Sequence, residues 1–269
     1  MRLDNRPIGI FDSGLGGLTT VRELRRLMPH ENIVYFGDTG RVPYGTRSGN
    51  TIRRYSRQDI RFLLTKDVKM IIAACNTISA AMADELDGWG VPAVETLMPA
   101  VRAARKATQT GRIGVIGTSA TARSGAFELA LHRLDPGLEV LTVACPLFVP
   151  LVENGFAQDG NLVTRMVAEQ YLEPIRAFGP DVLILGCTHY PILKGLIGEL
   201  MGAGVTLIDS GQEAAREAQA LLKAEGLEGG QGLCEYYVSD IPDGFNESAG
   251  AILGEQIPCA AVQIDIEGF

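Results

Sequence analysis

Two cysteines carry the strongest chemical signal in the chain. Cys75 follows the apolar run Met70-Ile71-Ile72-Ala73-Ala74, and Cys187 follows Val182-Leu183-Ile184-Leu185-Gly186. Polar side chains come next in both places: Asn76 and Thr77 after the first, Thr188 and His189 after the second. A free cysteine is most often a small buried apolar residue, but such residues seldom sit among so many hydrogen-bonding neighbours. Thiols on opposite faces of one carbon suit proton exchange there, because a planar intermediate needs a base on one side and an acid on the other. At a near-attack separation of about 3–3.5 Å on each side, the sulfurs would lie roughly 6–8 Å apart. With an unperturbed pKa near 8.5, only roughly 3% of a thiol is ionised at neutral pH. Neighbouring acid–base groups or backbone N–H donors must therefore help one thiol ionise while its partner keeps its proton. His189 is placed to do so for Cys187. Asp12, which closes the apolar run Ile8-Gly9-Ile10-Phe11, is a second candidate, although Asp12-Ser13 could instead cap a helix starting near Leu18.

The elements that hold these residues alternate along the chain. Short apolar runs at Ile8–Phe11, Ile33–Phe36, Met70–Ala74, Ile113–Ile116, Val140–Val143, Val182–Leu185 and Val205–Ile208 read as strands, with amphipathic helices between them at Leu18–Leu27 and Thr51–Leu64. Runs apolar throughout imply strands covered on both faces, as in a parallel α/β sheet. Ligands bind such sheets outside the carboxyl ends of the strands, which is where both cysteines and Asp12 fall. The chain also echoes itself. Ile8-Gly9-Ile10-Phe11-Asp12-Ser13-Gly14 resembles the segment beginning at Ile113, and Lys69 to Thr77 resembles Asp181 to His189. Two echoes at nearly one offset predict two similar, doubly wound α/β domains related by a pseudo-two-fold axis, with a cleft between them.

Composition narrows the function. The 269 residues are 46% hydrophobic, enough for one large or two modest cores. The polar opening Met1–Pro7 and the short apolar run after it fit neither a signal peptide nor a membrane span, so a cytoplasmic protein is the default expectation. A net charge of −8 argues against nucleic acid as a partner. Of the five cysteines, the nearest pair is Cys234 and Cys259, so no Cys-x-x-Cys or zinc spacing occurs and no metal site is expected. Cys145, Cys234 and Cys259 are assigned to packing. The glycine-rich stretch Leu227–Leu233 reads as a loop before a last strand near Cys234.

Several motifs, in order, run through almost the whole chain: Phe11-Asp12-Ser13-Gly14-Leu15-Gly16-Gly17-Leu18, Pro43-Tyr44-Gly45, Ala74-Cys75-Asn76-Thr77, Cys145-Pro146-Leu147-Phe148-Val149-Pro150-Leu151-Val152-Glu153 and Leu185-Gly186-Cys187-Thr188-His189-Tyr190-Pro191. Together they resemble the glutamate racemases of the aspartate/glutamate racemase superfamily. The resemblance implies racemisation of glutamate with no cofactor and no metal. It implies that Cys75 handles the proton of D-glutamate and Cys187 that of L-glutamate, with Asp12 assisting Cys75, and Glu153 and His189 assisting Cys187. It further implies a substrate pocket lined by Asp12, Ser13, Tyr44, Gly45, Asn76, Thr77, Thr118, Thr121, Thr188 and His189. The domains would be residues 1–97 plus 210–269, and residues 98–209. A homodimer, D-glutamate for peptidoglycan synthesis and, as in some members, an interaction with DNA gyrase belong to the same implication. Ile78 and Phe127 depart from the family's more usual alanine and tyrosine. The second is expected at a peripheral site.

Three rivals stand beside this reading. Gly14-Leu15-Gly16-Gly17 between a strand and a helix, with Asp38 ending the second strand, has the layout of a nicotinamide-binding fold. Thr19, however, stands where the third glycine should be. A non-catalytic binding module could use the same cleft, and a racemase of aspartate or another amino acid could use the same two thiols.

Overall fold

The computed structural model describes residues 4–82, 85–241, 245–254 and 261–269. Cys259, and with it its assignment to packing, lies outside the described residues. The chain folds as an α/β protein with two parallel sheets. The first runs β10-β9-β2-β1-β3-β4 and the second β6-β5-β7-β8. In the first, β1 (Ile8–Asp12), β2 (Ile33–Gly37), β3 (Met70–Ala73) and β4 (Ala93–Glu95) are joined by β9 (Cys234–Val238) and β10 (Val262–Gln263). The second holds β5 (Arg112–Gly117), β6 (Glu139–Ala144), β7 (Val182–Gly186) and β8 (Thr206–Asp209). Among the described residues all strand pairings are parallel. The order β2-β1-β3-β4 repeats as β6-β5-β7-β8, so the two echoed sequence pairs occupy corresponding strands: β1 with β5, and β3 with β7.

The central strands are continuous apolar runs because both faces are covered. Every residue of β1, β2, β3 and β7 is buried. One face of the first sheet packs on α1 (Leu18–Leu27) and α10 (Ser210–Glu225) through Leu18, Val21, Leu24, Ala214 and Ala218. The other packs on α2 (Gly49–Leu64) through Ile52, Ile60 and Leu63. The second sheet is held between α4 (Leu97–Ala107) with α6 (Ala126–Leu134) on one side and α8 (Leu162–Phe178) on the other. Helix α10 leaves β8 of the second sheet and leads back to β9 of the first, packing against both α1 and α4 on the way.

Some local expectations are corrected. Helix α2 starts earlier than Thr51, at Gly49, because Ser48 caps it by accepting the Thr51 N–H. Strand β8 is shifted to Thr206–Asp209, with the Asp209 carboxylate capping α10. Asp12 and Ser13 do not cap α1, whose N-cap is Gly17 with no side-chain bond. Phe127 is not peripheral. It is 1% exposed and packs against Gly186, where an added Cβ would stand 3.1 Å from its ring, directly under the strand end that carries Cys187. Cys145 is fully buried in the second core and Cys234 packs at the edge of the first. Among the described residues no helix is long and apolar enough to cross a membrane.

Candidate active site

Parallel strands deliver their carboxyl ends to one edge, and the edges of the two sheets open on a shared cavity of about 310 Å³. The first sheet contributes Ser13 and Gly14 after β1, the segment Val42–Thr46 after β2, and Cys75, Asn76 and Thr77 after β3. From the second come Thr118 and Ser119 after β5, Pro146, Val149, Pro150 and Glu153 beyond β6, and Cys187, Thr188 and His189 after β7. Both cysteines therefore line a single cavity. Of the catalytic and substrate-binding residues expected from the sequence, only Asp12 and Thr121 stand behind its wall.

Cys75 is 6% exposed, with its Sγ 3.5 Å from the Ser13 hydroxyl. Burial, reinforced by the negative charge of Asp12, pushes its thiol up to about 12, against smaller opposing effects of Ser13 and the Ile78 N–H. Asp12 is 1% exposed. Its Oδ2 accepts the Gly14 N–H at 3.0 Å, while Oδ1 has no partner. Burial raises its pKa, opposed by the His189 charge and by the N–H groups of Gly17 and Gly14.

Cys187 has different company. Its Sγ lies 3.9 Å from Nδ1 of His189, and Nε2 of that ring lies 3.0 Å from Oε1 of Glu153, on α7 (Phe148–Glu153). Burial alone would lower the pKa of His189, but its contacts with Cys187 and Glu153 outweigh that and raise it to about 10. Glu153 sits at the cavity mouth with its side chain 37% exposed. Helix α1 touches the turn after β7 nearby, where the Thr19 hydroxyl lies 2.8 Å from the Gly16 carbonyl and 2.9 Å from that of Thr188. This approach requires glycine at position 16, where an added Cβ would fall on the Thr188 hydroxyl and 2.5 Å from Nδ1 of His189.

The remaining wall is polar on its far side. Tyr44 is 1% exposed and donates its hydroxyl to Asp38, with Asp59 Oδ2 at 3.3 Å. Arg41 bridges the two carboxylates, Nε to Asp38 at 2.7 Å and a terminal nitrogen to Asp59 at 3.2 Å. Burial and the nearby Asp38 hold Asp59 well above the usual carboxylate range despite Arg41. Tyr44 thus spends its hydroxyl behind the cavity and offers it ring and backbone. Asp38, the acidic residue of the nicotinamide alternative, is fully buried and engages Arg41 and Tyr44 through Oδ2. Sequence reasoning passed over Arg41 and Asp59. Sequence spacing puts only Asp38 near Arg41, whereas Asp59 lies 18 residues on, in α2, and carries no local signal. Thr77, Thr118 and Thr121 cluster across the cleft with hydroxyl oxygens 3.0–3.5 Å apart, and Thr118 caps α5 (Ser119–Ser124) by accepting the Thr121 N–H.

Comparison with known proteins agrees with this geometry. Residues 19–218 match the Asp/Glu/hydantoin racemase family. A glutamate racemase of Geobacter metallireducens is 46% identical over 261 residues, covering 94% of each chain. One from Streptococcus pneumoniae is 50% identical over 221 residues, covering 82% of this chain and 83% of its own. Among solved structures, glutamate racemase from Francisella tularensis in complex with D-glutamate superposes with a TM-score of 0.91 at 37% identity, covering 99% of this chain and 100% of that one.

Proposed function

The chain belongs to the Asp/Glu/hydantoin racemase family and is an amino-acid racemase, and from that premise we propose that it interconverts L- and D-glutamate by a two-thiol proton transfer at Cα. One observation carries the reading: Cys75 and Cys187 end corresponding strands of two matching sheets and line the same cavity. Cys187 removes the proton of L-glutamate and Cys75 returns one to the opposite face. D-glutamate runs the same path backwards. With burial and Asp12 pushing its thiol up to about 12, Cys75 is suited to hold a proton and deliver it. His189, positively charged and backed by Glu153, stabilises negative charge on Cys187.

The rest of the cavity suits a zwitterion with one donor group and two acceptor groups. Asp12 Oδ1 and Asn76 Oδ1 are buried acceptors without partners; Asn76, in the lining, receives the substrate ammonium, and Asp12, behind the wall, backs it with its charge and assists Cys75. The carboxylates find no Lys or Arg among the described residues of the lining. They are held by backbone N–H groups at the starts of α3 (Asn76–Met82) and α5, by the hydroxyls of Ser13, Thr77, Thr118 and Thr188, and by the turn at Tyr44-Gly45, with Thr121 supporting from behind. The two lobes are residues 1–97 plus 210–269 and residues 98–209. Sheet membership supports this division. The enzyme works in the cytoplasm as a homodimer, and its D-glutamate feeds peptidoglycan synthesis.

The test is incubation of the purified protein with each enantiomer in D₂O without added cofactor. Deuterium should enter Cα as the sample racemises, with aspartate as the control substrate. Failure of both glutamate enantiomers to invert, or faster inversion of aspartate, would overturn the assignment.

A further inference from the structure

Ser210 is the first residue of α10, at the point where the chain leaves the second sheet, and it is fully buried. Its hydroxyl donates to the Leu185 carbonyl at 2.9 Å, on β7 two residues before Cys187. The same oxygen accepts from Nδ2 of Asn76 at 2.9 Å, the residue immediately after Cys75. One hydroxyl thus bridges the strand ends that carry the two thiols. The polarity of this bridge is forced. A carbonyl can only accept, so the single hydroxyl proton of Ser210 goes to Leu185 and its oxygen is left to accept. Asn76 must then turn its NH₂ toward Ser210, which points Oδ1 the other way. That oxygen is buried and unpartnered, and Asn76 lines the cavity.

We propose that Ser210 is a positioning residue of the active site: its hydroxyl orients the Asn76 amide so that an acceptor faces the substrate ammonium, and ties the Cys75 strand end to the Cys187 strand end. This rests on the reading of the cavity as the site of glutamate racemisation. Without the hydroxyl the amide is free to flip and present an NH₂ to the ammonium, two donors facing each other in a dry site. The penalty is felt wherever the ammonium is held, and it vanishes when Asn76 is already gone.

A double-mutant cycle on the full-length enzyme tests this. Ser210→Ala should lower kcat/KM by about tenfold or more and raise KM for both enantiomers. In an Asn76→Ala background the same substitution should change kcat/KM by less than about threefold, because the group it acts through is absent. Additive losses, or a loss that only follows the fraction folded in a thermal melt, would overturn the proposal. Ser210→Cys, close in volume but a weak donor, serves if the alanine variant does not fold. A folded Ser210→Cys enzyme with parental kcat/KM would equally refute it. The underlying reading is tested apart from this by Cys75→Ala and Cys187→Ala, so an inert Ser210 in an enzyme that needs both cysteines leaves that reading standing.

Discussion

Cys75 and Cys187 end corresponding strands in sheets of the same internal order, yet one is surrounded by negative charge and the other by a positive ring. Around Cys75 the neighbours are a buried carboxylate, a hydroxyl and a backbone N–H. Around Cys187 an imidazole is held between the thiol and a carboxylate that reaches solvent. A repeated fold thus supplies matched positions for two groups, and the loops supply unmatched electrostatics. That inequality suits a reaction in which a carbon loses a proton from one face and gains it on the other, because it favours charge on one thiol and a retained proton on its partner.

Removing either sulfur breaks the comparison outright. Cys75→Ala and Cys187→Ala should each lower kcat by about 10³-fold or more, at the upper end of what one acid–base group contributes. Their residual chemistry should differ by face. In D₂O, Cys187→Ala retains any Cα exchange only with D-glutamate, and Cys75→Ala only with L-glutamate. Exchange of both enantiomers by one single-cysteine variant would show that the surviving thiol reaches both faces.

Asp12→Asn sharpens the comparison on the dry side. The buried carboxylate makes Cys75 harder to ionise, so its neutral replacement should speed iodoacetamide alkylation of that thiol. It also removes an unpartnered acceptor, so kcat/KM should nevertheless fall by about 10–100-fold, the order of a lost charge-assisted hydrogen bond. A rise in both would assign Asp12 only an inhibitory role. On the opposite side, His189→Asn should cost about tenfold in kcat, less than a proton carrier contributes, because it tunes the thiol rather than carrying the proton to carbon. The sign of its pH dependence follows from the raised pKa. The ring keeps its proton through neutral pH and loses it as the pH passes about 10. The parent kcat should decline above that point, and the His189→Asn profile should lack that limb.

The sequence made the scaffold legible because burial on both faces leaves uninterrupted apolar runs, and those runs end at the functional edge. Cys75, Cys187 and Asp12 could be placed there from position alone. The resemblance added Glu153, whose approach to His189 depends on the path from β6 into α7 and has no periodic signature. Arg41, Asp59 and Ser210 remained hidden for a different reason. Each acts through a partner distant in sequence, and a serine opening a helix or an aspartate within one looks like ordinary capping or a solvated face. Phe127 misled because a lost hydroxyl suggested a surface position, whereas its ring fills the space left by Gly186.

The smallest expected effect sits at the wet end of the Cys187 chain. Glu153→Gln preserves a hydrogen-bonding oxygen for Nε2 of His189 and removes only the charge. That charge is partly screened, since the side chain is 37% exposed, whereas Asp12 is 1% exposed and cannot be screened so. The same carboxylate-to-amide change should therefore cost no more than about fivefold in kcat at position 153, well short of the loss at position 12. Glu153 is among the groups that raise the pKa of His189. Its neutralisation should move the alkaline limb of kcat to lower pH while leaving the acid side unchanged. A loss as large as that of Cys187→Ala, with no movement of the limb, would mean that Glu153 meets the substrate itself and that the two faces differ in their proton carriers as well as in their surroundings.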